Sequence, residues 1–98
     1  MRVSEITGSR LAEYLRLDYD ALSVKEKDGI ETMREAAMAF IRSYTGLDDD
    51  GIEPHEDFVI VVYILVQDMY DNRVLYVERD NLNKTVETIL GMHSVNLL

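Results

Sequence analysis

The stretch from Ser23 to Gly46 constrains the fold of this chain more than any other. Ser23 and Glu26 have the spacing of a capping box, in which each side chain bonds a backbone N–H of the other residue at the start of a helix. Gly46 can adopt the positive φ that ends many helices. Between these signals, apolar residues recur at steps of three and four: Ile30, Met33, Ala37, Phe40, Ile41 and Tyr44. The pattern predicts a long helix over residues 23–45.

Residues 58–66 form the longest apolar run and give conflicting signals. The run is rich in Val and Ile, and this propensity alone favours a buried strand. However, Pro54 suits the first turn of a helix, and Glu56 and Asp57 suit its positive N-terminal end. No other segment is a convincing partner strand. We therefore predict a helix that is apolar on nearly all sides and lies centrally in the core or in a subunit contact.

Two shorter helices complete the predicted architecture. Thr7 is a candidate N-cap for a first helix that carries Leu11 and Tyr14, and Asn81 or Asn83 caps a last helix that Gly91 ends. Residues 47–53 are predicted as a loop, residues 74–78 as a short extended arm, and the apolar tail 92–98 as a docked segment. The expected fold is all-α, a small bundle of three to four helices with a long second helix, in a single domain over residues 1–98.

Composition excludes several classes of function. The chain has no cysteine, so it has no disulfide, no thiolate metal site and no cysteine nucleophile. The formal net charge of −9 disfavours general binding to DNA backbone or to an anionic membrane surface. The apolar run at 58–66 is too short to cross a bilayer, and the N-terminus lacks the features of a signal peptide. No membrane partner is expected.

The residues that could carry chemistry do not form a recognisable motif. Setting Gly51 at the sixth position of a calcium-binding EF-hand loop places Gly46 first, where an Asp is required, so that motif fails. His55 and His93 are far apart, and neither has a second histidine at helical metal spacing. Because a glycine-rich phosphate loop is also missing, the sequence predicts no metal site, no cofactor and no catalytic residues, hence no enzyme.

Three segments in order resemble one protein family over nearly the whole chain. The first ends in Leu15, Arg16, Leu17 and Asp18, the second in Tyr44, Thr45 and Gly46, and the third in Met69, Tyr70, Asp71, Asn72 and Arg73. Together they resemble the head–tail connector (adaptor) proteins of tailed bacteriophages, the small "possible DNA packaging" proteins. The acidic stretch 48–57 and the Val/Ile density of the third helix depart from that family.

The resemblance implies a structural role in the virion. Members of this family form a homo-oligomeric ring below the portal protein, extend the DNA channel and provide the surface on which head-completion or tail proteins dock. DNA passes through such a channel without sequence-specific binding. A protein of this kind is made in the host bacterial cytoplasm and is located at the head–tail junction.

The apolar third helix and its end supply the candidate subunit interface. An almost wholly apolar helix offers more surface than a monomer of this size needs to bury, and a ring repeats one heterologous contact around an axis. The candidate interface residues are Val59, Val62, Leu65, Met69, Tyr70, Asn72 and Arg73. For Tyr70, Asn72 and Arg73, helix termination is the alternative role. The alternative function is an acidic cytosolic helical module that sequesters a basic protein partner.

Overall fold

The computed structural model describes residues 1–95, and over these residues the fold is all-α, as predicted. Five α-helices follow one another, and the second is by far the longest: α1 (Gly8–Tyr14), α2 (Val24–Thr45), α3 (Asp49–Ile52), α4 (Phe58–Asn72) and α5 (Lys84–His93). Single 3₁₀ turns at Val3–Glu5, Tyr19–Ala21 and Arg79–Asn81 lie before α1, before α2 and before α5.

The predicted limits of α2 are confirmed by its capping contacts. The Ser23 hydroxyl accepts a hydrogen bond from the Glu26 backbone N–H, and the Ser23 N–H donates to Glu26 Oε1, both at 3.1 Å. The Ser23 backbone N–H, followed by its side chain, holds the pKa of Glu26 below its usual value. At the other end Gly46 has φ +77° and donates to the Arg42 carbonyl at 2.9 Å. Both ends of α2 are therefore set by local sequence.

The apolar run at 58–66 is helical and forms the first part of α4, which packs against α1, α2 and α5. A helix satisfies its backbone hydrogen bonds internally, whereas a strand needs a partner, and the described residues contain no strand to provide one. The buried side chains of α4 lie on one side of the helix: Phe58, Val61, Val62, Leu65, Val66 and Met69. This helix is the centre of the hydrophobic core.

Three details of the helix ends differ from the prediction. The expected loop at 47–53 contains the short helix α3, whose N-terminus is capped by the Asp48 carboxylate and which buries Ile52. Pro54 lies in the turn before α4, not in its first turn. Gly91 lies inside α5, which continues to His93. A glycine within a helix costs only about 1 kcal/mol, and the burial of Ile89 and Leu90 outweighs this cost.

The remaining expectations concern the core, the tail and the membrane. Phe40, predicted on the apolar stripe of α2, is only half-buried and packs at the margin of the core.

The start of the C-terminal tail contacts the end of α2. The backbone N–H of Val95 donates to the Thr45 carbonyl at 2.7 Å. Residues 96–98 of the predicted docked tail lie outside the described range. None of the described helices is both long and apolar enough to span a bilayer.

Candidate interaction surfaces and a histidine cluster

Three of the seven candidate interface residues lie in the interior of a single chain. The exposed fractions of Val62, Leu65 and Met69 are 0%, 1% and 1%. Their side chains pack against the other helices of the same chain and offer almost no surface to a second subunit, although Met69 also forms part of the lining of a groove described below. The sequence pattern shows that α4 is apolar, but the positions of the neighbouring helices decide which of its residues face the core and which face solvent. These three residues are therefore corrected from interface to core.

The other candidates lie at or near the surface of α4. Val59 and Tyr70 are half-buried, whereas Asn72 and Arg73 are exposed. Asn72 donates its side-chain amide to the Asp68 carbonyl at 2.9 Å, and Arg73 ends the helix in the left-handed region with φ 56°. The Arg73 guanidinium lies 4.6 Å from the centre of the Tyr70 ring, at a distance suited to a cation–π contact. Helix termination is therefore part of the role of Asn72 and Arg73.

Tyr70 and Arg73 also border a groove of about 300 Å³. The groove lies between the start of α2, the end of α4 and the segment that follows α4. Most of its lining is apolar: Leu17, Leu22, Ile30, Met33, Met69, Tyr70, Val74 and Leu75, with Gly29 and the charged side chains of Glu26 and Arg73. We call this concave surface the α2–α4 groove. It brings residues of two of the family-like segments, Leu17 and Tyr70, to one place.

A second apolar surface lies on the outward side of α4, nearer its N-terminus. Tyr14 and Ile60 are 44% and 50% exposed, and the rings of Tyr14 and Tyr63 lie with their centres 4.8 Å apart and their planes tilted by 37°. Val59, which precedes Ile60 on α4, is half-buried. We call the surface formed by Tyr14, Val59, Ile60 and Tyr63 the α4 outer face. Sequence analysis missed Ile60 and Tyr63 at this surface because the run 58–66 is apolar throughout and no polar residue marks its outward side, and it placed Tyr14 on the apolar side of α1.

The predicted arm at 74–78 is an irregular, partly exposed segment. Leu75 and Tyr76 are 57% and 59% exposed. The α2–α4 groove adjoins Leu75, and a larger groove of about 580 Å³ adjoins Tyr76 and contains Asp68 in its lining. Burial, together with the nearby negative charge of Asp71, raises the pKa of the Asp68 carboxyl above its usual value. The arm thus adds exposed apolar area beside the end of α4.

A histidine cluster lies at the opposite end of α4, where the fold brings His55 and His93 together. Their ring centres are 4.2 Å apart, and His93 Nε2 lies 2.8 Å from a carboxylate oxygen of Asp57. The potential ligand atoms of His55, Asp57 and His93 all lie within 4.8 Å of one another. The sequence analysis predicted no metal site because His55 and His93 are far apart along the chain, but the fold places their rings in contact. No local spacing could have revealed the contact, because it depends on how α5 packs on α4.

Comparisons with known proteins add no family assignment. No protein-family model, no curated protein and no solved structure matches this chain. The resemblance to phage connector proteins therefore rests on the three sequence segments, and the function is argued from these segments and from the surfaces described above.

Proposed function

We propose that this protein is a structural subunit of the head–tail junction of a tailed bacteriophage. In this proposal copies of the chain form a ring below the portal, extend the DNA channel and offer a docking surface to a head-completion or tail protein. The role requires contacts between chains and no catalysis, metal or cofactor. The observation that carries the proposal is a pair of unlike apolar surfaces on one small chain, the α2–α4 groove and the α4 outer face.

The two surfaces lie at different places on the molecule. Ile60 and Tyr70 are ten residues apart on α4, which corresponds to about 15 Å along the helix axis at about 1.5 Å per residue. One surface is concave, whereas the other presents the partly exposed side chains of Tyr14 and Ile60. Unlike surfaces favour a heterologous contact, in which the outer face of one subunit enters the groove of the next. Repeated around an axis, such a contact closes into a ring.

The charge of the chain fits the passage of DNA. Each subunit carries a formal net charge of −9, so a ring of subunits presents a strongly acidic body to the DNA phosphates. Like charge disfavours adhesion of DNA to the channel wall and allows the duplex to slide. The same charge would suit an acidic module that sequesters a basic partner, but that function does not require two unlike apolar surfaces.

The first test introduces one carboxylate into each surface. We expect Ile60→Glu and Leu75→Glu each to abolish assembly, because a contact that buries an unpaired carboxylate costs several kcal/mol. Both positions are at least half exposed in the single chain, so both variants should keep their helical circular dichroism. Thr88→Glu, at an exposed position of α5 outside both surfaces, is the matched control and should assemble normally. Size is measured by analytical ultracentrifugation, alone and with the phage's portal protein.

Mixing the two variants tests the heterologous arrangement. Ile60→Glu retains an intact groove, and Leu75→Glu retains an intact outer face, so the mixture should form pairs of one copy of each and no ring. If either variant alone forms dimers, the contact is isologous and the ring model is wrong. A wild-type chain that neither assembles nor joins portal rings, yet binds a basic protein with one-to-one stoichiometry, would favour the sequestering module instead.

A phage assay tests the location and role. Phage that carry Ile60→Glu should produce filled heads that lose DNA or fail to join tails, whereas Thr88→Glu should leave the particle yield unchanged. Normal joining of heads and tails by a variant shown to be unable to assemble would refute the connector role.

A further inference from the structure

We propose that His55, Asp57 and His93 form a binding site for a divalent transition-metal ion, with Zn²⁺ as the expected metal. The site links the turn before α4 to the end of α5. It is independent of the proposed ring, because the three side chains belong to neither apolar surface and come from one chain.

The donor set suits zinc. Two imidazole nitrogens and one carboxylate oxygen are ligands that Zn²⁺ binds readily, whereas Ca²⁺ and Mg²⁺ prefer sites made only of oxygen. In a tetrahedral site with bonds of about 2.0–2.2 Å, the donor atoms lie roughly 3.3 Å apart. Here the potential donor atoms lie within 4.8 Å of one another, so movements of about 1 Å in the side chains would bring them into place.

The backbone around two of the donors is held in position. Within the turn between α3 and α4, the His55 N–H donates to the Ile52 carbonyl at 3.0 Å, and the His55 carbonyl accepts from the Phe58 N–H at 3.2 Å. Asp57 occupies the position before the first residue of α4, and its side chain does not cap the helix. The carboxylate is thus directed to His93 at 2.8 Å. A preorganised turn lowers the entropy lost on metal binding.

The surroundings leave one side of the site open. The ring of Phe58, fully buried, lies 4.8 Å from the centre of the His93 ring and 5.9 Å from that of His55 and forms an apolar wall. The side chains of Asp57 and His93 are 36% and 19% exposed, so an ion can enter from solvent. Three protein ligands leave a fourth position for water or another donor.

Metal binding would replace the contact that now joins His93 to Asp57. Zinc would bind the imidazole nitrogens and the carboxylate oxygen directly, so the hydrogen bond between His93 Nε2 and Asp57 would be exchanged for bonds from both groups to the ion. The ion would then fix the end of α5, and with it Ser94 and Val95, which lead into the C-terminal tail. Zinc is expected to stabilise the fold by mass action, since the unfolded chain has no preformed site.

The chain is well suited to a direct test because these are its only two histidines and it has no cysteine. The protein is prepared without a histidine tag and treated with a chelator, and Zn²⁺ binding is measured by calorimetry. Co²⁺ is then used as a spectroscopic probe of tetrahedral coordination. We expect one ion per chain, micromolar affinity, a raised melting temperature and shifts of both histidine side chains in NMR spectra.

Variants identify the ligands. Loss of even an outer hydrogen-bond partner of a ligand costs about 10–100-fold in affinity, so His55→Ala, Asp57→Asn and His93→Gln should each weaken binding at least about tenfold. His55→Ala leaves the His93–Asp57 contact intact and serves as the variant that keeps its fold. Asp50→Asn, an exposed carboxylate outside the cluster, is the control and should bind zinc as the wild type does. Binding only at millimolar zinc, or unchanged affinity in His55→Ala, would overturn the proposal.

Discussion

Gly46 and Gly91 both follow an apolar helical segment, yet their backbones differ. Gly46 has φ +77°, in the left-handed region, and ends α2, whereas Gly91 continues α5 to His93. A β-carbon added at Gly46 would meet Val95 Cβ at 3.7 Å, an ordinary contact, and one added at Gly91 would meet nothing within 4 Å. Space is therefore available at both positions, and only the backbone conformation separates them.

We expect opposite effects when each glycine is replaced by alanine. Gly46→Ala should lower the free energy of unfolding by about 1–2 kcal/mol, because an L-residue is strained in the left-handed region. Gly91→Ala should raise it by roughly 0.5–1 kcal/mol, because alanine is the better helix former. Urea denaturation of both variants measures the two changes. A loss of stability in Gly91→Ala would show that α5 ends earlier, as the sequence predicted.

At the scale of the element, α4 has an inward and an outward side with similar residue types. Val62 and Leu65 are buried in the core, whereas Ile60 is half exposed although it lies two residues from Val62. In a helix these two residues point about 200° apart, at about 100° per residue, so only one of them can face the core. The division decides which substitutions change folding and which change assembly.

Truncation in the core should be costly. Leu65→Ala is expected to lower the free energy of unfolding by about 2–5 kcal/mol, since it leaves a cavity in a region where the side chain was 1% exposed. Phe40→Ala should lower the free energy of unfolding by less than the truncation of a fully buried aromatic residue would, because part of the Phe40 ring is already in contact with water. Denaturant midpoints measure both. Equal stability of Leu65→Ala and wild type would contradict the assignment of the core.

The same division distinguishes two glutamate substitutions on α4. Val62→Glu should unfold the chain, because it buries a charge without a partner, and circular dichroism would show the loss of helix. Ile60→Glu should leave the helix content unchanged. Comparing it with Val62→Glu therefore separates a loss of assembly from a loss of folding.

At the scale of the whole molecule, charge opposes the contacts that the apolar surfaces favour. The chain carries a formal net charge of −9, and its described residues form an elongated body of 47 × 27 × 19 Å. Neighbouring copies in a ring would therefore repel one another at distances comparable with the Debye length, which is about 10 Å at 0.1 M salt. Apolar burial must exceed this repulsion for a ring to form.

Assembly should therefore become stronger as the salt concentration rises. Between about 0.05 M and 1 M salt the Debye length falls to roughly 3 Å, so repulsion between subunits is screened while apolar contacts persist. Sedimentation velocity at a fixed protein concentration should show a larger fraction of assembled chains at high salt. Dissociation with increasing salt would indicate that ion pairs, such as those available to Arg73, hold the subunits together instead.

The sequence by itself determined the secondary structure wherever the signal is local. The ends of α2 follow from Ser23, Glu26 and Gly46, which satisfy or terminate backbone hydrogen bonds within a few residues. The Thr7 cap of α1 and the Asn83 cap of α5 act in the same way. Gly91 shows the limit of this approach, because a helix-ending residue type is overridden when packing of the surrounding turns favours continuation.

Only the tertiary structure decided which residues share a surface. Periodicity could not separate Val62 from Ile60 within a wholly apolar run, because burial depends on the positions of α1, α2 and α5. Likewise, His55 and His93 meet only because α5 packs across the start of α4, and the burial of Val86, Ile89 and Leu90 fixes that packing. Local hydrogen bonds act over a few residues and are visible in sequence, whereas hydrophobic burial is non-directional and is settled only by the packed molecule.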